Sequence, residues 1–232
     1  MSSRKIFISG ATGYMASTLI PELLRQGHQV QALARPGSER KVPSGASVVP
    51  GDALRAATFS AKGCDTFVHL TGVAKPSPLK AKQFLAVDEP SLQASLEVAC
   101  RDGVEHFIYV SVAQPAPVMR PYVEVRRRCE TRILATGIRA TFLRPWYVLG
   151  RGHWWPVVLV PFYAFAEQIP AWRQGALRLG LVTHREMTLA LLDAVNHPPS
   201  LSVRCLDVPG IREVAQRFPS TLGERSKIAG VS

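Results

Sequence analysis

A glycine-rich segment near the start of the chain has the residue types and spacing of a phosphate-binding turn. An apolar run at Lys5–Ser9 leads into the sequence GATGYMA at 10–16, and a helical pattern follows. Gly10 suits a tight turn, Gly13 lets a pyrophosphate approach the backbone, and a small residue at position 16 allows close helix packing. The first helix amides would face the phosphates. We therefore expect residues 10–15 to bind a dinucleotide; a glycine turn without ligand is the alternative.

A cation ends the second predicted strand. Proteins that select NAD place a carboxylate here, which accepts from the ribose 2′-hydroxyl. This chain has Arg35 instead, with Ser38, Arg40 and Lys41 nearby. A 2′-phosphate would match this charge, so the sequence favours NADP, with NAD still possible. Alternatively, Arg35 is an ordinary solvated residue at a strand end.

Asp52 follows the third predicted strand and could accept from the adenine amino group. Its alternative role is that of a helix N-cap, and the two roles are compatible. We include Asp52 and its neighbour Ala53 in the expected cofactor site.

A later helical pattern carries a tyrosine and an arginine on one face. Tyr122, Val125, Arg126, Cys129 and Ile133 follow the spacing i, i+3, i+4, i+7 and i+11. A cation within this apolar stripe needs a hydrogen-bonding or anionic partner. A cofactor ribose and the Tyr122 hydroxyl would provide one; a structural ion pair is the alternative.

Short β-rich runs alternate with longer helical patterns along the chain. We expect strands at Lys5–Ser9, Gln29–Ala34, Ser47–Pro50, Thr66–Leu70, His106–Ser111, Thr141–Leu143, Leu177–Leu179 and Ser202–Val208. We expect helices at Tyr14–Gln26, Ala53–Lys62, much of Lys80–Arg101 with an interruption near Pro90, Tyr122–Ala135 and Thr183–Asn196. This alternation predicts an α/β fold, a Rossmann-type doubly wound parallel sheet with helices on both faces.

The pattern changes after Arg144. Residues 145–175 are rich in Trp and Pro, and the longest apolar run, Trp154–Ala166, contains two prolines, which makes it too short to span a membrane. We expect one domain over 1–232, with 145–210 forming a small substrate-side cap and 211–232 a loosely ordered tail. A pocket lined by aromatic side chains would suit a hydrophobic substrate. The aromatic residues in question are Trp154, Trp155, Phe162, Tyr163 and Phe165.

Composition limits the possible partners. The 232 residues are 47% hydrophobic, which excludes a disordered chain, and carry a net charge of +11, which favours anionic partners. Four widely spaced cysteines and six scattered histidines predict neither a disulfide framework nor a metal site, and a reducing compartment fits best. No aromatic residues interleave with the basic ones, so nucleic acid is not an expected partner. The start lacks a signal-peptide pattern, and we expect a cytoplasmic protein.

Several motifs together resemble the extended or atypical short-chain dehydrogenases/reductases, of the NmrA-like and epimerase-like branch. In family order, they are GATGYMA at 10–16, ALAR at 32–35, GD at 51–52, HLTG at 69–72, FIYVSV at 107–112, YVEVR at 122–126 and LRPWYVLG at 143–150. The resemblance implies a Rossmann sheet, an NAD(P) cofactor and a substrate pocket between the sheet edge and the C-terminal part.

The resemblance also assigns roles to individual positions. Ser111 matches the serine that polarises a substrate carbonyl, and Tyr122 matches the tyrosine acid/base. Arg126 stands where the family has the lysine that holds the ribose and lowers the pKa of the tyrosine. Taken together, the residues expected to hold the cofactor are Gly10, Thr12, Gly13, Tyr14, Met15, Arg35, Asp52, Ala53, Leu70, Thr71, Gly72, Arg126, Pro145, Trp146 and Val148.

Three departures separate this chain from the family pattern. The third glycine of the turn is Ala16, the lysine is Arg126, and the family's middle asparagine is Asp88. We expect an NADP(H)-dependent oxidoreductase acting on a small or hydrophobic carbonyl or alcohol. The alternatives are a cofactor-binding sensor or assembly protein without chemistry, and a peripheral membrane protein related to quinones. The sequence does not identify the substrate or the oligomeric state.

Overall fold

The computed structural model describes residues 3–73, 81–115, 119–149 and 180–218. A parallel sheet of seven strands forms its centre, in the order β3-β2-β1-β4-β5-β6-β9. The strands are β1 Lys5–Ser9, β2 Gln29–Ala34, β3 Ser47–Pro50, β4 Thr66–His69, β5 His106–Val110, β6 Arg139–Leu143 and β9 Val203–Leu206. The order reverses between β1 and β4, and ligands of doubly wound sheets bind beside that switch point. The predicted fold class is confirmed.

Helices cover both faces of the sheet. They are α1 Ala16–Arg25, α2 Glu89–Arg101, α3 Arg120–Ala135, α4 His184–Asn196 and α5 Val208–Gln216. Short helical turns lie at Glu39–Lys41, Ala56–Thr58, Ala81–Gln83 and Phe84–Asp88, and a two-stranded parallel sheet joins β7 Tyr147–Leu149 to β8 Leu181–Thr183. In the described ranges, no helix has the length and apolar character that a membrane span requires.

Two apolar clusters form the core, one on each face of the sheet. Successive side chains of a strand point to opposite faces. Accordingly, Ile6 and Ile8 of β1 join the cluster under α1, α4 and α5, while Phe7 joins Phe67 and Phe107 under α2 and α3. Burial on both faces explains why these strands are apolar throughout.

The helix predicted at Ala53–Lys62 is wrong, because only the three-residue turn Ala56–Thr58 is helical there. Side chains outside the segment bind its backbone instead. Asp102 Oδ2 accepts from the Ala61 amide at 2.7 Å, and Arg101 Nη2 donates to the Phe59 carbonyl at 3.0 Å. The helical hydrogen bonds are therefore not needed to satisfy these groups.

The predicted interruption of the Lys80–Arg101 helix is present but precedes Pro90. Phe84–Asp88 forms a π-helical turn, and regular α-helix begins at Glu89. Proline cannot donate a backbone hydrogen bond and its ring crowds the carbonyl four residues earlier, so a widened turn before it is favoured. The widened turn ends at Asp88.

The C-terminal part agrees with the sequence prediction at one helix and differs from it at another. Thr183 and Glu186 form a capping box at the start of the expected helix α4. Helix α5 was not predicted: residues from 211 were expected to be a loose tail, yet Ile211 and Val214 are buried. Asp207 caps this helix by accepting from the Gly210 amide at 3.0 Å. The strand expected at Leu177–Leu179, the aromatic wall at 154–165 and the tail from 219 lie outside the described residues.

Candidate functional site

The glycine-rich turn fits tightly against the segment that follows β4. Gly10 has φ +73°, and a Cβ built on it would lie 2.6 Å from the carbonyl carbon of Leu70 and 2.8 Å from the amide nitrogen of Thr71. A Cβ on Gly13 would lie 3.0 Å from the Gly10 oxygen. The two expected cofactor segments, 10–15 and 70–72, therefore meet at the switch point through bare backbone.

Helix α1 begins without a side-chain cap or an acidic residue in its first turn. The first amides of any helix lack partners within that helix, and its dipole favours an anion there. With neither a side-chain cap nor an acidic residue, this end of α1 fits a pyrophosphate. Thr12, Tyr14 and Met15 lie in this turn; Tyr14 also stacks on His184 of α4, with ring centroids 4.0 Å apart.

A buried polar network lies beneath the turn. His69 Nδ1 is 3.0 Å from Ser9 Oγ of β1 and 3.0 Å from Ser95 Oγ of α2. Burial, with a smaller effect from the Arg126 cation, lowers the pKa of His69 to about 3, so the imidazole is neutral at pH 7. The motif containing His69 was noted in the sequence, but this role was not.

Arg35 is exposed at the end of β2 and has no carboxylate partner among the described residues. The Ser38 amide donates to the Arg35 carbonyl at 2.9 Å, closing a turn that also brings the Glu39–Lys41 segment next to it. Since no carboxylate of the described residues pairs with it, Arg35 can donate hydrogen bonds to a 2′-phosphate.

Asp52 closes a turn of its own. Its Oδ1 accepts from the Leu54 amide at 3.0 Å, and its amide donates to Thr58 Oγ1 at 2.9 Å. Asp52 thus binds a backbone amide as a capping residue does, which is its alternative predicted role, although the expected helix does not follow. Its other oxygen lies 4.0 Å from Arg55. The neighbouring Ala53 packs against the apolar cluster of that face.

Arg126 forms a buried ion pair with Asp88. Its Nη2 lies 2.5 Å from Asp88 Oδ1, and the two side chains are 8% and 0% exposed. Nη1 donates to the Tyr109 hydroxyl at 3.0 Å and to the Val110 carbonyl at 2.9 Å. Although burial opposes the charge, Tyr109, Tyr122 and Asp88 keep the pKa of Arg126 well above its ordinary value. The structural ion pair left open by the sequence is therefore present.

The segment after β4 lies directly over this ion pair. A Cβ on Gly72 would lie 2.8 Å from Arg126 Nη2 and 3.0 Å from Asp88 Oδ1. The Val73 amide donates to Asp88 Oδ2 at 3.3 Å. Gly72 thus permits the close approach that connects the ion pair to the phosphate turn.

Tyr122 packs between Phe84 and Arg126. Its ring centroid is 4.8 Å from that of Phe84 and 5.1 Å from the guanidinium carbon of Arg126. Burial raises the pKa of Tyr122 above 10, and the opposing effect of Arg126 does not reverse the shift. Arg126 lowers the pKa of Tyr122, in the direction that the family resemblance implies, but burial outweighs this effect and Asp88 also raises the pKa.

Ser111 lies at the carboxyl end of β5, beside the carbonyl that Arg126 binds. It is 2% exposed, and its Oγ has no partner in the part of the chain that the structure describes. Its amide donates to the Leu143 carbonyl at 2.7 Å, and the Ala113 amide donates to the Pro145 carbonyl at 2.9 Å. These bonds fix the segments after β5 and β6 next to each other.

Trp146 and Val148 follow β6, and Val148 belongs to the separate two-stranded sheet. The ring of Trp146 contacts Tyr147 edge to face at 5.5 Å, and Val148 packs against the apolar cluster under α1 and α4. In the described ranges, no group of three or more His, Cys, Asp or Glu side chains could hold a metal ion.

Sequence reasoning noted Asp88 only as a departure from a family pattern. Its partnership with Arg126, and the contacts of Tyr109 and Phe84 with the same cluster, were not predicted. A carboxylate directly after the apolar run FLAV was the available signal, since a buried acid requires a cation or hydrogen-bond donor.

Comparisons with known proteins identify the family and the fold of this chain. The sequence profile of a family described as NAD(P)H-binding matches residues 10–150, more than half of the chain. A ceramide reductase of Caulobacter vibrioides is 27% identical over 202 residues, which cover 85% of this chain and 62% of that protein. A chloroplastic divinyl chlorophyllide a 8-vinyl-reductase of Oryza sativa subsp. indica is 27% identical over 138 residues, which cover 54% of this chain and 33% of that protein. Each match thus spans less than two thirds of the relative.

Solved structures share the fold at low sequence identity. MoeE5 in complex with UDP-glucose and NAD has a TM-score of 0.63 and 19% identity, covering 91% of this chain and 81% of its own. The UDP-glucose 4-epimerase of Thermus thermophilus, in complex with NAD, has a TM-score of 0.63 and 16% identity, covering 93% of this chain and 84% of its own. This similarity establishes the Rossmann-like fold.

Proposed function

From the membership of this chain in the NAD(P)H-binding family, whose profile spans residues 10–150, we propose that it is an NADP(H)-dependent reductase of a carbonyl group in a hydrophobic substrate. The observation that carries the proposal is the buried, unpartnered hydroxyl of Ser111 at the carboxyl edge of the sheet, within the described part of the chain. A buried hydroxyl without a partner is costly, and a substrate oxygen would satisfy it.

The chain's own residues supply the remaining functions. The turn 10–15 and the bare backbone at Gly72 would hold the dinucleotide, which when bound supplies the hydride. Ser111 would hydrogen-bond the substrate oxygen, and Tyr122 would give that oxygen a proton. A phenol with a raised pKa is protonated at pH 7, as a proton donor must be.

The substrate class is proposed from the relatives. Both curated relatives are named as reductases, and ceramide is a lipid. The aromatic segment 154–165 of this chain would suit an apolar molecule of that kind.

Replacement of Tyr122 by phenylalanine tests the chemistry. NADPH consumption is followed with long-chain aliphatic ketones and aldehydes as probes, at several pH values. Because a positioned acid contributes roughly 10²–10⁴-fold, Tyr122→Phe should lower turnover by that factor. NADPH affinity should change less than about twofold, since the ring packing remains. Unchanged turnover would show that another group donates the proton.

A cofactor-binding sensor is the second candidate. The observation in its favour is that Asp88, Tyr109 and Val110 already occupy the Arg126 guanidinium, which the family resemblance assigned to the ribose. Tight NADPH binding without consumption of NADPH by the wild-type chain, across the probe series, would favour this candidate.

Replacement of Arg35 by alanine tests the proposed preference for NADP(H). Calorimetric titration should show NADPH binding more tightly than NADH, and Arg35→Ala should weaken NADPH by roughly 10–100-fold, since a charged hydrogen bond contributes about 1.5–3 kcal/mol. NADH affinity should stay the same. Arg217→Ala is the control, because Arg217, which follows α5 and pairs with Glu213, is also an exposed arginine, 64% accessible. Equal wild-type affinities for both cofactors, unaffected by Arg35→Ala, would contradict the preference.

A further inference from the structure

Two departures from the family pattern, Asp88 and Arg126, contact each other. They lie 38 positions apart in the sequence, on the π-helical turn and on α3, and their side chains pair at 2.5 Å in a buried site. Asp88 and Arg126 therefore form one ion-paired unit in this chain.

The unit has a different charge from a lone cation. A cation beside a phenol stabilises the phenolate and lowers its pKa. An adjacent carboxylate cancels most of that field, because opposite charges a few ångströms apart act at a distance as a weak dipole. The guanidinium carbon of Arg126 is 5.1 Å from the Tyr122 ring, and Asp88 is its direct ion-pair partner.

The other groups near Tyr122 do not supply a compensating positive charge. Arg126 and Cys129 face it from α3, Asp88 from the π-helical turn, and Tyr109 adjoins the same guanidinium from β5. Among these described neighbours Arg126 is the one cation. Its charge is therefore the contribution that favours the phenolate of Tyr122, whereas burial favours the phenol.

We propose that Asp88 is a positioning residue that pairs with Arg126 and screens its charge from Tyr122, so that the site holds Tyr122 as a proton donor and works in the direction of reduction. This proposal rests on the proposed function. In that direction the carbonyl carbon gains a hydride with its two electrons from NADPH, and the oxygen gains the phenol proton. The phenolate left on Tyr122 then recovers a proton from water. The reverse reaction needs the phenolate at the outset.

Asp88 also positions the segment that would contact the cofactor. Its Oδ2 accepts from the Val73 amide, and Gly72 packs on the ion pair. The residue that screens the charge thus also holds the backbone leading from β4.

The experiment is an ultraviolet titration of tyrosine ionisation in the full chain without cofactor or substrate. Because the chain has five tyrosines, each variant is compared with the same variant carrying Tyr122→Phe, and the difference isolates Tyr122. Asp88→Asn should lower the pKa of Tyr122 by about one unit, since Arg126 is no longer screened. The double variant Asp88→Asn with Arg126→Gln should return it to within about half a unit of the wild type.

Glu89→Gln is the matched control. Glu89 adjoins Asp88 in the sequence, and its replacement removes the same charge. Glu89 also pairs with two arginines of α3, Arg128 and Arg132, but these arginines are roughly 45% exposed, so solvent screens them. It should leave the Tyr122 pKa unchanged. An equal or raised pKa in Asp88→Asn would overturn the proposal.

The double variant keeps the test decisive if Asp88→Asn does not fold, because it removes both charges and leaves no buried charge of the pair without its partner. A Tyr122 pKa more than about one unit above the wild type in that variant would show that Arg126 acts as an unscreened cation, and would overturn the proposal. The titration needs no turnover, so absence of reductase activity would refute the proposed function without affecting this result.

Discussion

The phosphate turn and the tyrosine helix build two halves of one candidate site by different means. In the turn, residues 9–16 with 70–72, the contacts are made by backbone. The Leu70 backbone leaves no space for a Cβ on Gly10, and the side chains beneath the turn are neutral. The tyrosine helix α3 is held through charged side chains, Asp88 and Arg126, that are buried together. Backbone geometry admits few substitutions, whereas a side-chain pair can be exchanged if both partners change.

That difference explains where this chain departs from its family. The turn keeps its two leading glycines, and the change at Ala16 remains a small, fully buried residue. On the helix side, Asp88 and Arg126 stand where the family resemblance implies an asparagine and a lysine. Breaking such a buried pair by changing one partner costs about 3–5 kcal/mol, while replacing both can be nearly neutral.

The largest effect in this comparison is expected from a single methyl group on the turn. Gly10→Ala combines a left-handed backbone with a Cβ 2.6 Å from the Leu70 carbonyl carbon, and should cost about 2–5 kcal/mol of folding free energy. NADPH affinity should fall more than about tenfold, because the turn must move. Urea unfolding and calorimetry measure the two effects.

Gly27→Ala provides the matched control for this change. Gly27 has φ +83°, close to that of Gly10, but a methyl group added there would meet no atom within 4 Å, so only the backbone penalty of about 1–2 kcal/mol applies. Equal destabilisation by the two substitutions would show that contact with Leu70 does not constrain the turn.

The two regions also differ in how far the sequence predicts them. The strand, turn and helix at residues 5–25 are contiguous, so their local pattern contains nearly all the information that determines the structure. The ion pair depends on residues 38 positions apart, and no local pattern indicates that Asp88 and Arg126 meet. The sequence could therefore place Arg126 on a buried face without identifying its partner.

Two errors in secondary structure have different origins. At 53–62, distant Arg101 and Asp102 bind the backbone and replace helical hydrogen bonds. The helix at 208–216 begins with residues that usually break helices, Pro209 and Gly210. They occupy its first turn, where proline is tolerated, and Asp207 supplies the cap. Tertiary partners decide the first case and the cap decides the second.

Lowering the pH should reduce the stability of the chain through His69, which lies beneath the turn, and not through Arg126 on α3. The pKa of His69 is about 3 in the folded chain and near 6.5 in a solvated one. Below pH 6.5 the unfolded chain binds a proton that the folded chain does not, so stability falls as pH decreases from 6.5 towards 3. Arg126 keeps its proton throughout this range, since its pKa is well above the ordinary value.

Replacement of His69 by asparagine, which does not titrate, should therefore reduce the loss of stability in acid. At about 1.4 kcal/mol per pH unit, the wild type should lose about 2 kcal/mol more than His69→Asn between about pH 6.5 and pH 5, whatever their difference at neutral pH. Urea unfolding at the two pH values measures this difference in slope. His106, whose pKa burial also lowers to about 3, keeps its own contribution in both chains. Equal acid losses in His69→Asn and the wild type would show that His69 gains a proton in the folded chain, and that the region beneath the turn is not neutral.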